Sequence, residues 1–336
     1  MSARSLASRV PALFRVALGT LLALAAFEPL SRLYYFVPSV FEPGVGPVAP
    51  AGSDVRWCVE GCASSAWQAH GVRRSRPYDP DRPALVVLGD SHTEALQVGD
   101  DDVYSGHLER ALGGSLQVLD LGRSGSSAAD YVALADKYKQ LFHPRWTIVT
   151  LKDEDFEGVE RGSYRFARVG GTLTTVPTVS SQMDPRLEPL RRHLALYSFA
   201  VYRYHLLVAA AQSEPKMFFS GEPILPPTPP APLSNPREIL AALARAYDGR
   251  VTFVYLSRPQ PTRDGPPPIE RAFDAACAEL AASCVNPRGP FQVLVDNGTP
   301  PYGFANSTPN SGHLNEAGHA VLADRLAEEL GHLALL

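Results

Sequence analysis

The sequence lacks any excess of positive charge. Its 31 lysine and arginine residues are outnumbered by 35 aspartate and glutamate residues, which gives a formal net charge of −4 at pH 7. Nucleic-acid-binding proteins need a concentrated basic surface, and the basic residues of this chain form no such cluster. The chain also lacks a glycine-rich P-loop motif, which argues against phosphoryl transfer. Nucleic acid is therefore not an expected partner.

Cysteine is scarce as well. The chain has four cysteines, in two closely spaced pairs: Cys58 with Cys62, and Cys277 with Cys284. In an exported protein this spacing predicts two local disulfides, although other pairings are also open. A zinc site built from all four is the alternative, but neither pair has the C-x2-C spacing of a zinc knuckle. No metal or cofactor is expected, and the acidic run from Asp153 to Asp155 is interpreted as a solvated loop.

The sequence has no apolar run as long as the roughly 20 residues that usually span a membrane. The longest candidate, the uncharged stretch 16–27, follows three arginines near the N-terminus. Apolar and aromatic residues continue from Leu30 to Val37, as expected for an anchor that extends into the membrane interface. Residues 1–37 are therefore predicted to be a single-pass anchor, with the rest of the chain on the exported, periplasmic side. The alternative is a signal peptide cleaved near Ala25, which would release a secreted protein.

The remaining chain divides into two parts. Residues 38–80 are rich in proline, glycine and serine and are predicted to be a stalk and lead-in segment. Residues 81–336 alternate between short β-branched runs and helical patterns, which predicts a parallel sheet buried on both faces. The expected fold is a three-layer α/β sandwich. Its predicted strands begin at Ala84, Leu116, Trp146 and Val251, and its predicted helices cover about 101–112, 128–142, 269–282 and 315–335.

The alternation is interrupted by an insertion at about residues 156–250. Within it, residues 164–176 predict a hairpin, because two extended runs flank Gly170 and Gly171. Residues 187–211 predict one long helix rich in tyrosine, leucine and valine. A helix that starts at Pro236 then leads back to the sheet.

The first predicted strand ends in the sequence Gly89-Asp90-Ser91-His92. Side chains at the carboxyl ends of parallel strands face the crevice where α/β proteins bind ligands. Ser91 is therefore a candidate nucleophile. A serine hydroxyl needs a nearby base to accept its proton, and His313 fits best because it lies in the loop before the last helix. His92 is a poor base for Ser91, since adjacent side chains on an extended segment point apart.

Together, these motifs resemble the SGNH (GDSL-like) hydrolase superfamily. The first block corresponds to Gly89 to His92, with Ser91 as nucleophile and donor of one oxyanion N–H. The second resembles Asp120 to Gly125, in which Gly125 would supply a second N–H. The last resembles Asn310 to Asn315, with His313 as the base. The resemblance implies a flavodoxin-like fold and ester chemistry without a cofactor.

The anchor and the inserted helix further resemble bacterial membrane-anchored members of the superfamily that act on exported polysaccharides. This resemblance implies a serine esterase or O-acyltransferase that acts on ester groups, acetyl above all, of a surface glycan. The membrane and the acylated glycan are the implied partners. A membrane acyltransferase is a further partner that the resemblance allows.

Two positions depart from the pattern of the superfamily. Glu154 stands where an asparagine normally donates a hydrogen bond to the oxyanion, and an ionised carboxylate can only accept. Asn310 stands where an aspartate normally orients the histidine, and an asparagine cannot stabilise an imidazolium by charge. The departures leave two hypotheses: an esterase or acyltransferase that works through a Ser91–His313 dyad, or a catalytically degenerate domain that binds glycan or assists assembly at the membrane.

Overall fold

The structure is a computed structural model, and it describes residues 3–74, 76–156, 162–178, 185–213, 236–257 and 265–333. The chain begins with a long helix, α1 (Ala3–Tyr34). Within α1, the segment Phe14–Tyr34 is long and apolar enough to cross a membrane, and none of it is buried against the rest of the protein. By length and composition it suits either an anchor or a signal sequence.

The segment after α1 is folded, whereas the sequence suggested a stalk. It contains five short antiparallel strands: β1 (Tyr35–Phe36), β2 (Val40–Glu42), β3 (Gly46–Val48), β4 (Asp54–Trp57) and β5 (Ala63–Ala66). Strand β4 pairs with both β1 and β5, and β2 pairs with β3. The physical reason is a small separate core, in which Val55 and Trp67 are almost fully buried beside Leu96.

The central sheet confirms the predicted fold class. Its five strands are β6 (Ala84–Leu88), β7 (Gln117–Asp120), β8 (Trp146–Leu151), β11 (Val251–Tyr255) and β12 (Ser283–Val285). All pairings are parallel, and the order across the sheet is β12-β11-β8-β6-β7. Every residue of β6, β7 and β11 is buried. This is the flavodoxin-like order, whose strand ends form a ligand crevice.

Helices cover both faces of the sheet. The remaining elements are α2 (Ser91–Glu94), α3 (Tyr104–Ala111), α4 (Ala128–Phe142), α5 (Asp153–Phe156), β9 (Tyr164–Val169), β10 (Thr172–Pro177), α6 (Glu188–His193), α7 (Ala195–Ser213), α8 (Pro236–Ala246), α9 (Pro268–Leu280), α10 (Arg288–Asp296) and α11 (Glu316–His332). Helices α4, α8 and α9 share one apolar core with the sheet, and α3, α10 and α11 share the other. The predicted hairpin is present as β9 and β10. The last residues of the helix predicted to reach 335 lie outside the described residues.

The helix predicted over residues 187–211 is broken in two. Leu194 takes an extended conformation between α6 and α7. The start of α7 has an external cap instead, since the Glu28 carboxylate on α1 accepts hydrogen bonds from the backbone N–H groups of Ala195 and Leu196, each at 2.9 Å. Acidic groups stabilise helix N-termini because the first N–H groups have no partner within the helix.

Candidate active site

Ser91 lies where strand β6 gives way to helix α2. The Asp90 side chain caps this short helix, since its Oδ1 accepts a hydrogen bond from the His92 backbone N–H at 3.0 Å. The cap fixes the direction in which the chain leaves the sheet. As a result, Ser91 stands at the carboxyl end of the strand.

His313 comes from the loop before α11, 222 residues further along the chain, and its Nε2 lies 2.9 Å from Ser91 Oγ. The loop is held by Asn315, whose side-chain amide donates hydrogen bonds to the carbonyls of Pro300 at 2.7 Å and Gly303 at 3.0 Å. The same side chain caps α11 through its oxygen. The structure therefore brings together the two residues that the sequence singled out, at hydrogen-bond distance.

The third member of the cluster is Glu60, not Asn310. Glu60 Oε2 lies 2.5 Å from His313 Nδ1, and Oε1 accepts a hydrogen bond from the His313 backbone N–H at 3.0 Å. Asn310 occupies a turn with φ of +55°, in which its backbone N–H bonds to the Tyr302 carbonyl. This corrects the sequence prediction: the carboxylate of the lead-in segment already fills the place at Nδ1 that was assigned to Asn310.

A tight loop holds Glu60 in place. The disulfide between Cys58 and Cys62 closes it. The side chain of Asn306 reaches across: its Oδ1 accepts from the Gly61 N–H at 2.8 Å, and its Nδ2 donates to the carbonyls of Gly61 at 3.1 Å and Cys58 at 3.3 Å. The Trp57 indole N–H also donates to the Glu60 carbonyl at 3.0 Å. The loop thus has covalent and polar supports on both sides of the carboxylate.

The surroundings of Glu60 favour its ionised form. Partial burial works to raise the pKa of Glu60, but the hydrogen bonds from His313 outweigh it and lower the pKa. Gly312 allows the Glu60 carboxylate to come this close to His313, because a Cβ atom at position 312 would collide with that carboxylate. Glu60 is therefore an anion in contact with the imidazole of His313.

Gly125 lies beside Ser91. It has φ of +80°, a conformation that glycine adopts at little cost. The loop that carries it is fastened to the strand end by a 3.0 Å hydrogen bond from the Arg123 N–H to the Gly89 carbonyl. Ser91 and Gly125 both line a small cavity of about 60 Å³. The backbone of Gly125 therefore borders the same cavity as Ser91.

Glu154 lines the same cavity. Lys152 lies between two carboxylates: its Nζ is 2.5 Å from Asp90 Oδ2 and 3.7 Å from Glu154 Oε2. Burial alone would raise the pKa of Asp90, but its interactions with His92 and Lys152 outweigh it and lower the pKa. The cavity wall opposite Gly125 is therefore a charged network rather than a neutral amide.

Asp155 joins this wall to helix α4. Its carboxylate accepts hydrogen bonds from the backbone N–H groups of Ala128 at 2.7 Å and Lys152 at 3.0 Å. Burial, together with the charge of Asp90, raises the pKa of Asp155 to about 7. The start of α4 also has a capping box, formed by Ser127 and Asp130. These contacts fix Glu154 relative to the loop of Gly125.

Two other histidines, His92 and His319, pack beside the site. His92 is buried, its ring lies 4.9 Å from the ring of His313, and its Nδ1 accepts from the Leu314 N–H at 3.4 Å. His319 is fully buried in α11, where its ring stacks on Tyr104. Burial lowers the pKa of His319 well below its usual value. Both histidines support the loop and the core.

Comparison with known proteins gives matches in structure alone, since no family model and no curated protein matches the chain. A lipolytic G-D-S-L family member from Veillonella parvula is 10% identical, with a TM-score of 0.39 over 73% of this chain and 96% of that one. A lipase/acylhydrolase from Enterococcus faecalis is 13% identical, with a TM-score of 0.41 over 74% of this chain and 96% of that one. An acetylxylan esterase from Geobacillus stearothermophilus is 14% identical, with a TM-score of 0.40 over 74% of this chain and 94% of that one.

The strand order of the sheet and the helices on both of its faces define a three-layer α/β fold of the flavodoxin-like kind. Folds of this kind host many activities, so the function depends on the residues around Ser91.

Both predicted cysteine pairs are bonded in the structure, and they differ in their distance from the site. Replacing Cys58 and Cys62 together by serine is expected to lower kcat/KM for an ester by on the order of 10- to 100-fold, because a displacement of about 1 Å in a catalytic group has effects of that size. The matched control is the same double change at Cys277 and Cys284, which join α9 to β12. Equal losses in the two variants, measured at equal folded fractions, would contradict a positioning role for the first pair.

Proposed function

We propose that the chain is an exported, membrane-anchored serine esterase or O-acyltransferase of the SGNH type, which acts on ester groups of a surface glycan. The observation that carries the proposal is the continuous line of hydrogen-bond contacts from Ser91 Oγ through His313 to Glu60, at 2.9 and 2.5 Å. A nucleophile, a base in contact with it and a third group that orients the base are the parts that covalent acyl transfer requires.

In the proposed first step, Ser91 Oγ attacks the ester carbonyl carbon while its proton passes to His313 Nε2. The imidazole becomes positively charged, and the Glu60 carboxylate at Nδ1 stabilises that charge. The carbonyl oxygen becomes an oxyanion, which accepts hydrogen bonds from the backbone N–H groups of Ser91 and Gly125. Glu60 thus turns the predicted dyad into a triad.

In the second step, the bond to the alcohol breaks, and His313 gives its proton to the departing alcohol oxygen. An acyl group stays on Ser91. The second half repeats these steps in reverse, with water attacking in hydrolysis or a sugar hydroxyl attacking in transfer. The same residues serve both outcomes.

Glu154 is the residue that sets this site apart from the usual pattern. Its carboxylate lines the cavity of the proposed oxyanion, where an asparagine would donate a hydrogen bond. Replacing Glu154 by asparagine is expected to raise kcat by up to about 10²-fold, since one oxyanion donor has an effect of about that size. The conservative change Glu154→Asp keeps the charge and should give no gain. Steady-state hydrolysis of 4-nitrophenyl acetate tests both variants, and a fall in kcat for Glu154→Asn would reject this interpretation.

The direct test of the proposal is covalent labelling. A fluorophosphonate reacts with a serine whose proton is taken by a neighbouring base. We expect the label on Ser91 of the folded full chain, located by mass spectrometry of its peptides, and loss of the label in His313→Ala. A folded protein that is not labelled at Ser91 would overturn the proposal.

A second candidate function is that of a glycan-binding or assembly domain without turnover. The observation that favours it is the wall formed by Asp90, Lys152 and Glu154, whose carboxylates disfavour an oxyanion. The two candidates differ in one genetic result. A Ser91→Ala strain that keeps the cellular role of the protein would support the scaffold, and a lost role would support the enzyme.

We also propose that α1 remains attached as an anchor. Supporting contacts occur within its last turns: Glu28 caps α7, and the rings of Tyr34 and Phe199 pack edge to face at 6.0 Å. A discarded signal peptide has no need of such contacts with the mature domain. The glycan substrate, the periplasmic side and a partner acyltransferase rest on the resemblance in sequence. Mass spectrometry of the N-terminus tests the anchor.

A further inference from the structure

A cavity of about 380 Å³ adjoins the proposed oxyanion site. Gly125 and Ser126 line both this cavity and the small one beside Ser91. One wall comes from the segment that follows α1, and the opposite wall comes from the loop that contains Gly125. The apolar residues of the lining include Val37, Val45, Val48, Val55, Trp67 and Leu121. We name it the lead-in cavity.

Two charged side chains that line the lead-in cavity, Glu94 and Arg123, already have partners in the protein. The Glu94 carboxylate accepts hydrogen bonds from the backbone N–H and the hydroxyl of Ser124. Arg123 donates to the Val45 carbonyl and, at 2.9 Å, to Ser126 Oγ. A sugar would need a hydrogen-bond partner for each hydroxyl that it buries, and a largely apolar lining supplies few of them. The lining therefore suits a hydrocarbon group.

The position of the lead-in cavity relative to the proposed triad indicates which half of an ester it holds. The leaving alcohol oxygen must come within hydrogen-bond reach of His313 Nε2, because that nitrogen protonates it. The described residues that line the cavity include Gly125, on the oxyanion side, but not His313. The alcohol therefore lies on the His313 side, and the substituent of the carbonyl carbon points towards the cavity.

We propose that the lead-in cavity binds the acyl chain of the substrate, and that this chain is of medium length rather than acetyl. The inference rests on the proposed function, and it replaces the acetyl group that the sequence suggested. A pocket of a few hundred Å³ with an apolar lining is of the size that binds small apolar ligands. The cavity cannot exist without the segment after α1, so that segment determines acyl specificity.

The test uses the full chain in phosphatidylcholine nanodiscs and two esters of similar size, methyl octanoate with its long chain on the acyl side and octyl acetate with its long chain on the alcohol side. Val48 is the position to change, because it lines the cavity and is only partly buried. Val48→Phe fills the cavity and is expected to lower kcat/KM for methyl octanoate by about 10- to 200-fold, the range for a small change of volume in an apolar pocket. The value for octyl acetate should stay the same. The matched control is Val169→Phe, at a position on β9 that is 63% exposed.

The outcomes separate this inference from the proposed function. Hydrolysis of octyl acetate and not of methyl octanoate would keep the esterase and overturn the acyl cavity. If Val48→Phe lowered kcat/KM for octyl acetate and not for methyl octanoate, the cavity would bind the alcohol, and the inference would be overturned as well. Val48→Ala enlarges the cavity and is a second variant, expected to shift the preference towards decanoate.

Binding gives a readout that does not need turnover. Ser91→Ala should bind octanamide more tightly than acetamide in calorimetry, because the octanoyl chain enters the lead-in cavity. Adding Val48→Phe should abolish the difference, and adding Val169→Phe should leave it. Equal binding of the two amides by Ser91→Ala would reject the inference even if the protein hydrolyses no ester.

Discussion

Replacing Ser91 by alanine is expected to lower kcat for ester hydrolysis by on the order of 10⁴-fold or more, because loss of the nucleophile removes the covalent route. The remaining activity would come from the oxyanion donors and binding alone. The hydrogen bond between Ser91 Oγ and His313 lies in the partly exposed cleft and not in the core, so the variant should fold like the unchanged protein. The measurement is steady-state hydrolysis of 4-nitrophenyl acetate, with thermal unfolding as the check of folding.

The matched control for Ser91 is Ser311, an exposed serine two residues before His313. Ser311→Ala should leave kcat close to that of the unchanged protein. If Ser91→Ala kept most of the activity while folding normally, the nucleophile would have to be a group outside the cluster, and the proposed triad would be wrong.

The central sheet was predictable because its strands are short apolar runs between strong helix signals. Strands β8 (Trp146–Leu151) and β6 (Ala84–Leu88) both begin at the predicted residues. Edge strand β12 was not predicted. It has only three residues, Ser283–Val285, and two of them are only partly buried. Such a strand owes its conformation to pairing with β11, which the local sequence does not contain.

The positions of Ser91 and His313 could be predicted from local signals for the same reason. Ser91 ends a buried strand and His313 precedes a capped helix, so both signals lie within a few residues of the functional group. In a parallel sheet the loops at the carboxyl ends of the strands meet at one edge. The distance between the two side chains then follows from the topology.

Glu60 could not be predicted in the same way, because it lies upstream of the sheet in a segment without a strong pattern. Its place depends on the small sheet, in which Trp57 on β4 pairs with Tyr35 on β1. The one local signal was its position between Cys58 and Cys62, since a short disulfide loop holds its central residues rigidly. The resemblance in sequence pointed to Asn310, and only the three-dimensional structure shows that the Glu60 carboxylate lies at Nδ1 of His313.

This placement also ties the proposed active site to α1. Strand β1 begins directly after that helix, and Glu60 follows three residues after the end of β4, its partner strand. The lead-in cavity has Val37 in its wall, just beyond β1. If α1 is an anchor, the proposed catalytic carboxylate and the proposed acyl site both come from the part of the chain that has just left the membrane.

The change Glu60→Gln should be nearly as harmful as loss of the nucleophile, with a fall in kcat of about 10⁴-fold, as for the acid-to-amide change in a serine protease triad. The reason lies in the two hydrogen bonds of Glu60. One oxygen must accept from the His313 backbone N–H, so in a glutamine the amide NH₂ would face Nδ1. Nδ1 would then have to accept a hydrogen bond, and the ring proton would move to Nε2. A protonated Nε2 cannot take the proton of Ser91.

The comparison that decides between the two candidate orienters is Glu60→Gln against Asn310→Gly. Glycine adopts the φ of +55° found at Asn310 and keeps the backbone N–H that bonds to Tyr302, so this variant should fold and retain most of its activity. NMR of the His313 ring nitrogens gives a second readout, since only Glu60→Gln should move the proton from Nδ1 to Nε2. A large loss of kcat in Asn310→Gly with none in Glu60→Gln would return the orienting role to Asn310 and leave the carboxylate at Nδ1 without a catalytic function.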